Sequence, residues 1–243
     1  MALFLYNKEL RNERSVNGTI DIATERKFFR YTVGECIEKC DFCAIINQTI
    51  NKHLRIEIMI IKDIKYKLKD GRNALIRSPQ DEDIQGMLEY LYISAGETDF
   101  ILRYPEECNK YTVEGEKALF DRVNKSDNEA MLVCLVEGKV AGNCQITWNK
   151  GIKTRHRASV AIALLKEYWN QGIGTRLFQE LIRIAEENPN LIQIELEFVE
   201  GNSRARALYE KMGFRITGVK PNAIRLKDGT LLTEYSMIRE IKR

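Results

Sequence analysis

The chain has 243 residues, 44% hydrophobic and 30% charged, with a net charge of +3 from 38 basic and 35 acidic residues. That mass can support one or two hydrophobic cores, and the near balance of charge excludes a strong electrostatic pull toward nucleic acid or an anionic membrane surface. Apolar runs such as "IEIMII" and "ASVAIALL" fall far short of the roughly 20 residues that a membrane span needs, so they read as strands.

The opening "MALFLYNKEL" lacks the basic start, long apolar centre and small-residue cleavage site of a leader. A cytoplasmic protein with reduced thiols at its six cysteines is therefore expected. In residues 1–70, "GTIDIAT" and "RKFFRYTV" read as strands, 34–54 as a helix and "LRIEIMIIKDIKYKLK" as a long strand, together a small α+β module of unknown role. Its "CIEKCDFC" has the C-x3-C-x2-C spacing that resembles the cluster loop of radical-SAM enzymes. The same cysteines continue through Asn47, Ile50 and Leu54 in steps of three and four, the buried face of a helix, and that reading is preferred. His53, between Lys52 and Leu54, reads as a surface residue, and no metal site is expected.

The polar "KDGRN" at 69–73 suggests a domain boundary, with a second domain over 72–243. "SPQDEDIQGMLEYLYISAG" carries a Ser-Pro-acidic helix start and apolar positions at Ile84, Leu88, Leu91 and Tyr92. "TVEGEKALFDRVNKS" reads as a second helix, and "AMLVCLVEGKVAGNCQITW" as a hairpin turning at "EGK". The strand "RASVAIALL" then leads through "WNQGIG" into a helix with Ile173, Leu177, Leu181, Ile184 and Ala185 on one face. The strand "LIQIELEFV", a helix from Asn202 to Lys211 and two closing strands complete an α/β order in which several strands must be antiparallel.

The "NQGIG" amides sit at a helix start, where unpaired N–H groups and a partial positive charge favour an anion. Neither G-x-G-x-x-G nor a Gly-Lys-Ser/Thr ending is present, so the dinucleotide fingerprint and the P-loop do not fit. A tight turn with no ligand remains the alternative for these residues taken alone. Downstream, "IELEFVEGNSRARALYEKMGF" places a strand, Asn202 and "ARALYEKMGF" in sequence, and with "EYWNQGIGTRLF" the chain from Ala74 onward resembles the GNAT superfamily of acetyltransferases. The resemblance implies a mixed, mostly antiparallel sheet flanked by helices, with acetyl-CoA as cosubstrate. It departs at Trp169, where the family often has Gln or Arg.

What the resemblance implies for single residues is specific. Backbone groups of Ile162, Ala163 and Leu164 would meet the pantetheine arm, and Trp169, Asn170, Gln171, Gly172, Ile173, Gly174 and Thr175 would cradle the pyrophosphate. Asn202 is either a helix cap or a CoA contact, and Arg204 a phosphate contact or a solvated charge. Tyr209 would protonate the leaving thiolate, and Glu197 would accept a proton from the amine. Glu195 shares its side of the strand with Glu197, and neither need be the base. The acceptor would be a small-molecule amine or a protein amino group, drawn by acidic residues at Asp99, Glu106, Glu107, Glu114 and Glu116; a homodimer is compatible with the pattern. A non-catalytic CoA-binding or regulatory module with a partner-binding amino-terminal part is the alternative.

Overall fold

A computed structural model describes residues 19–24, 27–32 and 61–241, so the expected helix at 34–54, with Cys36, Cys40, Cys43 and His53, lies outside the described residues. The chain divides into two compact units, Met1–Ile56 and Glu57–Arg243. In the first, β1 (Thr19–Thr24) and β2 (Lys27–Thr32) pair antiparallel, with Thr24 opposite Lys27 at the closed end. These are two of the stretches that the sequence marks as strands.

The second unit is built on eight strands: β3 (Ile64–Lys67), β4 (Asn73–Arg77), β5 (Glu129–Val136), β6 (Lys139–Trp148), β7 (Arg157–Leu164), β8 (Gln193–Val199), β9 (Arg215–Arg225) and β10 (Leu231–Glu240). Their order across the sheet is β3-β4-β5-β6-β7-β8-β10-β9, and only β7 and β8 run parallel. All residues of β5 are buried, because helices cover both faces of the sheet there, and "EAMLVCLV" accordingly reads as one apolar run rather than an alternation. The β5–β6 turn places Glu137 at φ 48° and Gly138 at φ 80°, the paired positive φ of a type I′ hairpin.

Among the described residues, four α-helices flank the sheet: α1 (Ile84–Glu97), α2 (Val113–Asn124), α3 (Ile173–Glu187) and α4 (Ser203–Lys211). Asn143 and Cys144 follow one another on β6 and so face opposite ways. The Tyr90 hydroxyl of α1 donates to Asn143 Oδ1 at 2.9 Å, whereas Gly174 of α3 lies over Ile162, the partner of Cys144. Thus α1 covers one face and α3 the other. The buried side of α3 includes Ile173, Leu177, Leu181, Ile184 and Ala185, the stripe expected from its 3.6-residue period. No described helix is long and apolar enough to cross a membrane.

Two expectations change. The inward face of α1 carries Ile84, Met87, Tyr90, Ser94 and Ala95, while Tyr92 is exposed. With a polar handle that finds partners across the sheet, Tyr90 is buried in place of its neighbour. The "KDGRN" segment is a hairpin turn rather than a boundary: Leu68 N–H donates to Arg72 O and Gly71 N–H to Leu68 O, and β3 pairs with β4 inside the sheet. A glycine turn between two strands and a linker between two domains use the same residue types, and the division falls instead between Ile56 and Glu57.

Candidate functional site

The parallel pairing of β7 and β8 lasts for three residue pairs, Arg157–Gln193, Ala158–Ile194 and Ser159–Glu195. Beyond Ser159 each strand keeps only its outer partner, β7 running with β6 to Leu164 and β8 with β10 to Val199. The strands splay, and a cavity of about 670 Å³ opens between them. Leu165 N–H donates to Ala141 O, so the hydrogen-bonded pairs of the β6–β7 ladder fall on odd residues. The backbone of Ile162 and Leu164 therefore turns toward the gap that β8 has left.

Of the residues to which the resemblance gives a CoA contact or a proton-transfer role, all but Gln171 and Ile173 border this cavity. Ile173 is buried in the core, and Gln171 has a buried Oε1 with no hydrogen-bond partner, so the backbone is what these two positions can offer the site. Ala163 borders the cavity too, but its backbone belongs to the β6 ladder and its carbonyl also accepts from Tyr90 Oη at 3.0 Å. Of the three β7 residues, Ile162 and Leu164 are the ones with outward backbone, and the Leu164 carbonyl already accepts from Trp169 Nε1 at 2.9 Å.

The glycine loop does two distinct things. Gly172 caps α3 with φ +88°, a left-handed conformation that strains any residue with a Cβ, and Asn170 also has a positive φ of 63°. Gly174 sits inside the helix, where a Cβ would meet Leu208 Cδ2 at 3.0 Å, so its absent side chain lets α3 and α4 approach. Together they bring the N-terminus of a 15-residue helix, whose first N–H groups lack helical partners, to the border of the cavity. Trp169 is fixed by its bond to Leu164, and Arg204 lies over its ring at 4.1 Å while donating to Asn170 Oδ1 at 2.8 Å. Among the described residues, Arg204 and Lys211 are the cations bordering the cavity. Asn202 accepts from Ala205 N–H at 3.2 Å and caps α4.

Tyr209 projects from α4 on the α3 side, packed edge-on against Phe178 at 5.4 Å between ring centroids and against Phe198 at 6.0 Å. Burial pushes its hydroxyl pKa up to about 12, so it holds its proton at neutral pH. It also borders the cavity. Glu197 reaches the same cavity from the α1 side, since it and Phe198 alternate along β8. Glu195 does not border it: Arg157 holds both its oxygens, at 2.5 and 2.6 Å, and that hydrogen bonding keeps its carboxyl below the ordinary carboxylate range.

Sequence reasoning missed Glu234 and Lys220. Glu234 borders the cavity, and Lys220 Nζ lies 2.6 Å from Glu197 Oε1 and 2.8 Å from Glu234 Oε2. Glu234 and Ser236, alternating with Tyr235 and Met237, were a signal, but the register of three strands is needed to bring Glu234 and Lys220 to Glu197. None of Asp99, Glu106, Glu107, Glu114 and Glu116 borders the cavity. Glu106 pairs with Lys227, Glu107 accepts from Tyr104 N–H at 2.7 Å, and Glu116 is buried; the loop between α1 and α2 contributes Phe100, Ile101 and Leu102 instead.

A parallel pair that parts beside a glycine-capped helix N-terminus leaves a cavity in an α/β sheet with unpaired helix N–H groups at its border, a setting that favours an anion. Residues 97–214 match the family model described as the acetyltransferase (GNAT) family. An L-amino acid N-acetyltransferase of Escherichia coli is 28% identical over 108 residues, and an N-alpha-acetyltransferase of Sulfurisphaera tokodaii 34% over 99 residues. Those matches cover 44% and 37% of this chain and 66% and 59% of the two relatives, so the chain spans less than two thirds of their lengths. Among solved structures, a GNAT-family acetyltransferase from Streptococcus pneumoniae is 29% identical with a TM-score of 0.65, over 69% of this chain and 99% of that one. An acetyltransferase from Salmonella typhimurium solved with its cofactor acetyl-CoA shares the fold at 18% identity and a TM-score of 0.60, over 70% of this chain and 95% of that one. The region 97–214 is thus similar in sequence to the GNAT family, and the fold around it is shared with a GNAT-family acetyltransferase of solved structure.

Proposed function

We propose that this protein transfers an acetyl group from acetyl-CoA to a primary amine, by direct attack in a ternary complex. The observation that carries this reading is the gap between β7 and β8, open to both faces of the sheet, with the α3 N-terminus at one end and Glu197 and Tyr209 on its walls. The pyrophosphate of CoA would rest on the N–H groups of the loop from Gly172 to Thr175, neutralised further by Arg204. The amide-bearing arm would lie along β7, where Ile162 and Leu164 have backbone groups turned to the gap.

Attack joins the amine nitrogen to the thioester carbon and breaks the carbon–sulfur bond, whose electron pair stays on sulfur. An alkylammonium with pKa near 10.4 must first lose a proton, and Glu197 accepts it on the α1 side. Tyr209 donates its hydroxyl proton to the departing sulfur from the α3 side; among the described residues no other group hydrogen-bonds that hydroxyl, which leaves it available. The nitrogen sheds a second proton as the tetrahedral adduct collapses to the amide; solvent carries a proton back to Tyr209, Glu197 releases its own, and one proton is liberated per turnover. A cytoplasmic setting, with a small molecule or a protein amino group as acceptor, belongs to the same proposal.

Acetyl-CoA turnover against a panel of primary amines tests the reading, and CoA release is the expected result. Glu197→Gln should lower kcat by roughly a hundredfold near neutral pH and recover part of it at high pH, where free amine is abundant. A folded protein that binds no acetyl-CoA overturns the function, while a silent Glu197→Gln removes Glu197 as base.

A further inference from the structure

We infer that Glu197 and Glu234 form the seat of the acceptor's ammonium group, that Lys220 occupies that seat in the free protein, and that the acceptor carries no carboxylate beside its nitrogen. This deepens the acetyltransferase reading and rests on it.

Strand register brings the three side chains together. Glu197 is opposite Ser236 on β10, Glu234 lies two residues before Ser236 and therefore on the same face, and Glu234 is opposite Lys220 on β9. Both carboxylates border the cavity, and the Lys220 ammonium sits between them at 2.6 and 2.8 Å. A protonated primary amine offers the same charge and the same three N–H donors as that ammonium. The lysine is on an edge strand with a half-exposed side chain, so it can withdraw into water without losing solvation.

The same geometry discriminates between amines. Backbone bond lengths place the carboxylate carbon of a free α-amino acid only about 2.5 Å from its nitrogen. With the ammonium seated, that carboxylate would lie against Glu197 and Glu234. Thr98, Phe100, Ile101, Leu102 and Val199 border the cavity and none is cationic, while Arg204 and Lys211, the cations of its lining among the described residues, are both on α4. A neutral amide or an alkyl group next to the nitrogen avoids the repulsion and meets an apolar wall.

L-Leucinamide and L-leucine at pH 7 form a matched pair of probes, since both nitrogens are mainly protonated and only the carboxylate differs. The readouts are the KM of the amide and the inhibition constant of the free acid against it, which compare seating rather than nucleophilicity. The acid should bind at least about tenfold more weakly, as expected for juxtaposed like charges. In full-length Lys220→Met, with Lys220→Gln as a second variant, the KM of the amide should fall about threefold as a competing surface ion pair is removed. Acid and amide binding equally well would overturn the inference. So would acetylation of leucine that is lost in Lys220→Met, because Lys220 would then be the partner of a substrate carboxylate. Acetyl-CoA binding without any transfer to leucinamide overturns the acceptor assignment alone; failure to bind acetyl-CoA overturns the acetyltransferase reading beneath it.

Discussion

On the α3 side of the gap, the groups suited to CoA come from short contiguous stretches: residues 169–175, Asn202 with Arg204, and Tyr209 further along the same short helix. On the α1 side, Glu197, Glu234 and Lys220 come from three strands, and the loop carrying Phe100 comes from some hundred residues earlier in the chain. The proposed cofactor half is thus organised by local backbone chemistry, a left-handed glycine and a helix N-terminus, whereas the proposed acceptor half depends on how strands align. Local geometry tolerates little change at one residue, while a seat assembled from several strands can change its side chains and keep its backbone. That contrast is what the proposed function asks for, with one side of the cleft for an invariant cosubstrate and the other for a particular amine.

The sharpest break of the comparison is Tyr209→Phe. It removes one hydroxyl from a ring already packed on Phe178 and Phe198, so the fold and CoA affinity should persist while kcat falls roughly a hundredfold to ten-thousandfold. Steady-state kinetics alongside calorimetry decides it, and full kcat would leave positioning of amine and thioester as the source of rate.

On the cofactor half, Gly174→Glu adds a Cβ 3.0 Å from Leu208 Cδ2 and a negative charge where the phosphates are proposed to lie. CoA affinity should fall about a hundredfold. Gly174→Ala has the Cβ without the charge, and a flexible Leu208 side chain can yield to it, so affinity should fall far less. Equal losses in both variants would mean that α3–α4 packing, not charge, is what the position protects.

The unit boundary supplies an intermediate effect. A chain beginning at Glu57 keeps β3 and should unfold cooperatively, whereas one beginning at Gly71 lacks the strand that pairs with β4 and exposes a new sheet edge. Thermal unfolding and light scattering of the two separate them, and equal stability would make β3 dispensable.

Glu195→Gln should do least. Arg157 stabilises the ionised Glu195 carboxyl in the folded chain, so the pair contributes above the unfolded carboxyl pKa, about 4.3, and its contribution is lost as pH falls through the lower folded value. Thermal stability at pH 7 should drop by no more than about 1 kcal/mol for a solvent-screened pair. The acid side of the stability profile should flatten, and kcat should hold, in contrast to Glu197→Gln two residues along the same strand face.

The glycine loop, the apolar stripe of α3, the cap at Asn202 and the position of Tyr209 were all legible in the sequence. Each depends on neighbours within a few residues, through helix period, turn conformation and end-group chemistry. Other features lay beyond that reach. Whether Tyr90 or Tyr92 turns inward depends on a partner on β6, and whether "KDGRN" divides domains or turns a hairpin depends on what β3 pairs with. Glu195 and Glu197 look alike in sequence, yet one meets Arg157 where β7 and β8 still run together and the other faces the gap where they have parted. Glu234 and Lys220 join Glu197 only through the register of β8, β10 and β9. Register is set by contacts summed over whole strands distant in sequence, and a shift of one residue would turn every one of these side chains to the other face.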